Sequence, residues 1–132
     1  MRYNRVVTTR TSAELPTWFR DLTRARVISG SPAEASGVCC DSRRVRPGAV
    51  FVAIAGMSVD GNSFITSAIS AGARSVIVQE DARERWQRFV NEAVTFVAVP
   101  DARVALAEAA SGFYGHPART LGMIGVTGPD GK

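Results

Sequence analysis

The residues best suited to chemistry lie late in the sequence, where the apolar run Leu121–Val126 leads into Gly128-Pro129-Asp130-Gly131-Lys132. A strand followed by a glycine-rich turn ending in Gly-Lys is the opening of a phosphate-binding loop. The glycines let consecutive backbone N–H groups converge on phosphate oxygens, and the lysine adds a point charge. At about 4 Å that charge is worth on the order of 4 kcal/mol against one phosphate charge at an intermediate dielectric, before desolvation is subtracted. The strict pattern asks for glycine where Val126 stands, so the match is to the variant Gly125-Val126-Thr127-Gly128-x-x-Gly131-Lys132. Pro129 removes one N–H donor from the loop and fixes its φ. The alternative for this segment alone is an ordinary glycine-rich turn. The hydroxyl residue that would hold magnesium, and the helix whose N-terminus would face the phosphates, would both come after Lys132. The expectation is therefore a longer chain, with one domain over 1–115 and a linker, first strand and phosphate loop of the next over 116–132.

Other chemistry-bearing residues point to fewer possibilities. Cys39 and Cys40 are adjacent, which is poor geometry for a disulfide and lacks the C-x-x-C spacing of zinc or redox sites, so both read as strand residues. His116 has no second histidine or cysteine pair to complete a metal ligand set, so no metal site is assigned. Trp18 and Trp86 fit helix faces and read as core. The formal charge is +4 and the pI about 9.8. The 16 basic residues, all arginine but for Lys132, are spread along the chain, and the cluster Arg43, Arg44, Arg46 carries no interleaved aromatics. That pattern reads as a solvated surface with no nucleic-acid partner. No apolar run approaches the roughly 20 residues that span a bilayer, and Met1–Arg10 is polar and basic, so the expectation is no membrane partner and a cytoplasmic location.

These residues need a scaffold, and 132 residues at 45% apolar and 21% charged, with a mean hydropathy of +0.02, suit one globular domain with a real core. Thr11-x-x-Glu14 is a capping box, and Leu15, Trp18, Phe19 and Leu22 follow at helical spacing, which predicts a first helix over about 12–23. Short apolar runs at Val27–Ile28, Val38–Cys40 and Val50–Ala55 predict strands. Ile65, Ala68 and Ile69 predict a helix over 64–71, ended by Gly72 in a left-handed conformation. Val76–Val78 resumes the sheet. A polar helix over about 81–90 turns Trp86, Phe89 and Val90 inward, and Val94–Val99 reads as a strand covered on both faces. Asp101 caps a helix over about 102–114. Alternating helices and strands imply an α/β fold: a small layered sandwich with a partly parallel, mixed sheet flanked by helices.

Asp41-Ser42-Arg43, Pro47-Gly48, Phe51-Val52-Ala53, Gly56, Asp60-Gly61, Phe64-Ile65, Ala68 and Gly72-Ala73 together resemble the N-terminal domain of the Mur ligases, which extend the peptidoglycan stem peptide. The likeness continues through Val99-Pro100-Asp101-Ala102-Arg103, Phe113-Tyr114-Gly115, Pro117 and Ile124-Gly125-Val126-Thr127-Gly128, and is nearest the branch that adds the third residue. Pro129-Asp130 and Asn62 depart from the family's usual Thr-Asn and His. The resemblance implies a domain that grips the UDP part of UDP-N-acetylmuramoyl-L-alanyl-D-glutamate and does not catalyse alone. In the full enzyme ATP and Mg2+ would phosphorylate the D-glutamate side-chain carboxylate, and an incoming diamino acid would attack the acyl phosphate. Carried over by position, Cys40, Ser42, Met57, Ser58 and Val59 would contact the UDP-sugar peptide, and Gly128, Pro129, Asp130, Gly131 and Lys132 would bind ATP. Both UDP segments fall at strand ends beside turns, where backbone groups are free to pair with a uracil edge, and Ser42 offers a hydroxyl that donates and accepts. Asp41 and Arg43 could equally form a local salt bridge that shapes the loop, and Ser42 a turn-capping hydroxyl. The ligase that adds D-alanyl-D-alanine and a noncatalytic nucleotide- or nucleic-acid-binding module are the alternative readings.

Overall fold

The computed structural model describes residues 15–55 and 61–115. The capping box at Thr11 and Glu14, His116, the residues Met57, Ser58 and Val59, and the phosphate-loop residues Gly128–Lys132 lie outside them. In chain order the elements are α1 (Thr17–Arg20), β1 (Arg26–Ser29), β2 (Val38–Cys39), β3 (Val50–Val52), α2 (Ile65–Ser70), β4 (Ser75–Gln79), α3 (Arg83–Trp86), β5 (Thr95–Val99) and α4 (Ala102–Tyr114). The five strands form one sheet in the order β1-β5-β4-β3-β2. β2, β3, β4 and β5 run parallel to one another, and β1 closes one edge antiparallel to β5. The mixed α/β sandwich expected from the sequence is the fold observed.

The sheet is buried on both faces, which is why its central strands are unbroken apolar runs instead of alternating ones. Phe51, Val76, Val78, Phe96 and Ala98 point to one side, where Ile65, Ala68 and Trp86 cover them. Val50, Val52, Ile77, Val97 and Val99 point to the other, under Trp18, Ala102, Ala105 and Ala109. Both tryptophans are fully buried, and each indole N–H finds a carbonyl, Trp18 that of Ala33 at 2.9 Å and Trp86 that of Gln79 at 2.8 Å.

α4 follows the expected range closely. Asp101 accepts from Arg103 N–H at 3.0 Å and Val104 N–H at 3.3 Å, and Gly115 ends the helix at φ +79°. A second acceptor reaches the same helix start from the sheet, since Gln79 Oε1 takes the Ala102 N–H at 2.9 Å. Gly72, at φ +110°, closes α2 as expected.

Elsewhere the elements are shorter than the periodicity implies. Of the helix expected over 12–23, residues 12–14 lie outside the described residues; within them α1 spans Thr17–Arg20, with Pro16 in extended backbone before it and a left-handed turn at Arg24 (φ +51°) after it. The predicted helix over 81–90 is broken into the 3-10 turns Glu80–Ala82 and Gln87–Phe89 around α3. Trp86 leaves helical geometry there with φ −121°, and Phe89 and Val90 still pack inward. β2 ends at Cys39 and β3 at Val52, one and three residues before the apolar runs do, where the last ladder pairs set Cys39 opposite Phe51 and Val52 opposite Ile77.

α1 and α4 cross so closely that a Cβ on Gly112 would overlap the Thr17 carbonyl oxygen. Gly112→Ala should therefore reverse the usual 0.5–1 kcal/mol helix gain of about that size and cost about 1–3 kcal/mol, read as a lower denaturation midpoint.

Candidate functional site

Parallel pairing fixes which chain segments share an edge. Val38 is opposite Val50 and Cys39 opposite Phe51, so the residues that follow β2 and β3 emerge side by side at the carboxyl ends of the parallel strands. That is where open α/β sheets present their binding crevices. Here a groove of about 510 Å³ is lined by Cys40, Asp41, Ser42 and Arg43 from the end of β2, and by Ile54, Gly61 and Phe64 from the end of β3 and the approach to α2. At the neighbouring strands the same edge is filled: Gln79 and Asp101 already take the first N–H groups of α4.

The polar wall is built around Asp41. Its backbone is extended (φ −118°, ψ 114°) and it caps a 3-10 turn over Ser42–Arg44. Oδ1 accepts from the Arg43 backbone N–H at 3.0 Å and from Arg43 Nε at 3.1 Å, while Oδ2 accepts from Arg43 Nη2 at 3.0 Å. Arg44 Nε stands 3.9 Å from the same Oδ2. The Asp41–Arg43 salt bridge read from the sequence is thus present, in the bidentate form that fixes a guanidinium plane. The turn is capped by Asp41, and Ser42 occupies its first position. Side-chain and backbone hydrogen bonds from Arg43 hold the Asp41 carboxyl below its usual range. Burial pushes the Cys39 thiol up, whereas Cys40 is exposed at the groove.

The second wall is tied down by backbone. Gly61 N–H donates to the Ile54 carbonyl at 2.8 Å, closing the chain on itself. A Cβ on Gly61 would sit 2.5 Å from that oxygen and 2.6 Å from Ile54 N, so only glycine fits. Of the sequence-predicted contacts, Cys40 and Ser42 line the groove together. Met57, Ser58 and Val59 belong to the segment between Ile54 and Gly61, both of which line it too. Sequence reasoning gave no site role to Ile54, Gly61 or Phe64. A signal for Phe64 was available: it falls off the stripe set by Ile65 and Ala68, and it is 39% exposed while those two are fully buried.

Among the described residues no group of three His, Cys, Asp or Glu side chains is placed to hold a metal ion, and no helix is long and apolar enough to cross a membrane.

A sequence model of the Mur ligase family, catalytic domain, matches residues 34–114, which include both walls of the groove. The chain belongs to the Mur ligase family. It is 47% identical over 111 residues to the UDP-N-acetylmuramoyl-L-alanyl-D-glutamate--2,6-diaminopimelate ligase of Chlorobaculum tepidum, across 84% of this chain and 21% of that protein. It is 48% identical over 99 residues to the UDP-N-acetylmuramyl-tripeptide synthetase of Roseiflexus sp., across 75% of this chain and 18% of that one. The chain thus spans about a fifth of the length of these relatives. A solved MurF structure from Acinetobacter baumannii aligns at TM-score 0.43 and 25% identity, over 55% of this Mur ligase chain and 14% of that one.

Because the folded-state value of Asp41 is lowered, the turn's stabilisation is complete above the ordinary carboxylate value of about 3.9 and is lost as pH falls through the lower folded value. An NMR titration should give a midpoint for Asp41 below the ordinary value, with the Arg43 amide following the same curve, and Asp41→Asn should abolish that dependence at Arg43.

Proposed function

We propose that this chain is the part of an ATP-dependent amide ligase that holds the UDP end of UDP-N-acetylmuramoyl-L-alanyl-D-glutamate, in an enzyme adding the third amino acid of the peptidoglycan stem peptide in the cytoplasm. The observation that carries the reading is the convergence of Cys40, Asp41 and Ser42 with Ile54 and Gly61 on one groove at the carboxyl edge of β2 and β3. The segment holding Met57, Ser58 and Val59 begins and ends at that groove, which supports their contact with the same nucleotide. The names of the Chlorobaculum and Roseiflexus relatives support the substrate, and the former supports 2,6-diaminopimelate as the amino acid added.

Each residue then has a defined task. Asp41 takes over the capping of its turn, which supports the Ser42 hydroxyl pairing with the ligand. Arg43, held by Asp41 through Nε and Nη2, lines the groove, and its guanidinium suits the anionic diphosphate. No described residue is assigned a bond-making role. ATP supplies the phosphoryl group that activates the carboxylate, and Gly128, Pro129, Asp130, Gly131 and Lys132 would hold it with Mg2+. Residues 1–115 form the substrate-holding unit in this reading and 116–132 lead to the nucleotide-binding one.

Calorimetric titration of UDP-N-acetylmuramoyl-L-alanyl-D-glutamate into the full chain should give weak, saturable heat and a raised thermal midpoint. Ser42→Ala should weaken it about two- to tenfold, one neutral hydrogen bond's worth. No heat and no thermal shift at millimolar ligand would overturn the reading.

A further inference from the structure

A uridine nucleotide presents two different surfaces to a protein: a base edge that exchanges hydrogen bonds and a flat π face that wants an apolar or aromatic partner. The Cys40–Arg43 wall of the groove answers the first, and Ser42 and the turn backbone are suited to the edge. The face needs something on the other wall, formed by Ile54, Gly61 and Phe64.

Three large apolar side chains are well exposed among the described residues, Phe64, Val104 and Tyr114, and of these Phe64 lines the groove. Its exposure is not demanded by the fold, since Ile65 and Ala68 carry the packing of α2 while fully buried. Its backbone is nevertheless fixed. Phe64 ends the 3-10 turn Gly61–Phe64, whose first residue is hydrogen-bonded to Ile54 and cannot tolerate a Cβ. The two tryptophans, the stronger stacking rings in principle, are sealed in the core with their N–H groups engaged. An aromatic side chain held on a rigid turn, kept out of the core and facing a polar wall across a groove, is arranged as a stacking surface.

We propose that Phe64 is the platform on which the uracil ring of the substrate stacks, supplying affinity while the Cys40–Arg43 wall reads the base edge. This rests on the reading that the groove takes a uridine nucleotide. Phe64 is a positioning residue for the substrate's handle and takes no part in bond making.

The test uses uridine 5′-diphosphate and the full chain. In the wild type the uracil H5 and H6 resonances should move upfield on binding, from the ring current of Phe64. Phe64→Leu, which keeps an apolar side chain without a ring, should bind more weakly and lose that upfield shift, and Phe64→Trp should keep it. Phe64→Ala should weaken binding by roughly 5- to 150-fold, the range of one base–aromatic contact. If the upfield shift persists in Phe64→Leu, or Phe64→Ala binds as tightly as the wild type, the platform assignment is wrong while the groove reading survives through the Ser42→Ala effect. Absence of any uridine diphosphate binding by the wild type would sink both.

Discussion

The structure depends on the parallel pairing of two very short strands. β2 contributes only Val38 and Cys39 and β3 only Val50–Val52, yet their register decides that the turn after Cys39 and the loop after Val52 leave the sheet at the same edge. A one-residue slip would turn Phe51 out of one core and Val50 and Val52 out of the other, and each is fully buried. The core thereby enforces the register, and the register places the groove. Binding geometry here is a by-product of apolar packing several residues away.

The two walls are stabilised by different means. On one, a carboxylate satisfies a backbone N–H and a guanidinium at once, a charge-assisted arrangement at the surface whose worth is limited by solvent because Asp41 keeps 32% and Arg43 86% of side-chain exposure. Its use is geometric: it fixes a short turn that has no hydrophobic anchor of its own, as Ser42–Arg44 includes no buried residue. On the other, a backbone hydrogen bond and the absence of a side chain at Gly61 bring two stretches of main chain into close approach. The Ser42–Arg44 turn buries no residue and presents its side chains outward, whereas Ile54 on the other wall also packs against the core.

Much of this was legible in the residues. Runs such as Val76–Val78 and Val94–Val99 announce strands covered twice, and Asp101 announces the start of α4, because burial and capping leave local marks. Element ends were harder. Pro16 stands in extended backbone directly before α1, and Trp86 leaves helical geometry within the predicted helix over 81–90 while its indole donates to Gln79, a tertiary demand that helical periodicity does not record. The Asp41–Arg43 pair was visible since both partners are two residues apart. The second wall was not, since the fit of Gly61 against Ile54 and the exposure of Phe64 arise from the folded path of the chain. The strand at Val27–Ile28 was legible too, but its antiparallel pairing with β5, which sets Arg26 opposite Ala98, has no local signature.

Gln79 joins more than its position at the end of β4 suggests. Its backbone carbonyl holds the indole of Trp86 on one side of the sheet, its Oε1 holds the first turn of α4, which covers the other, and its Nε2 donates to Asp81 at 3.0 Å. The two hydrophobic layers are therefore riveted together by the backbone and side chain of a single polar residue as well as by the strands they share. Loosening one layer drags on the other, and melting is driven toward a single cooperative event in which neither layer survives as a half-folded remnant.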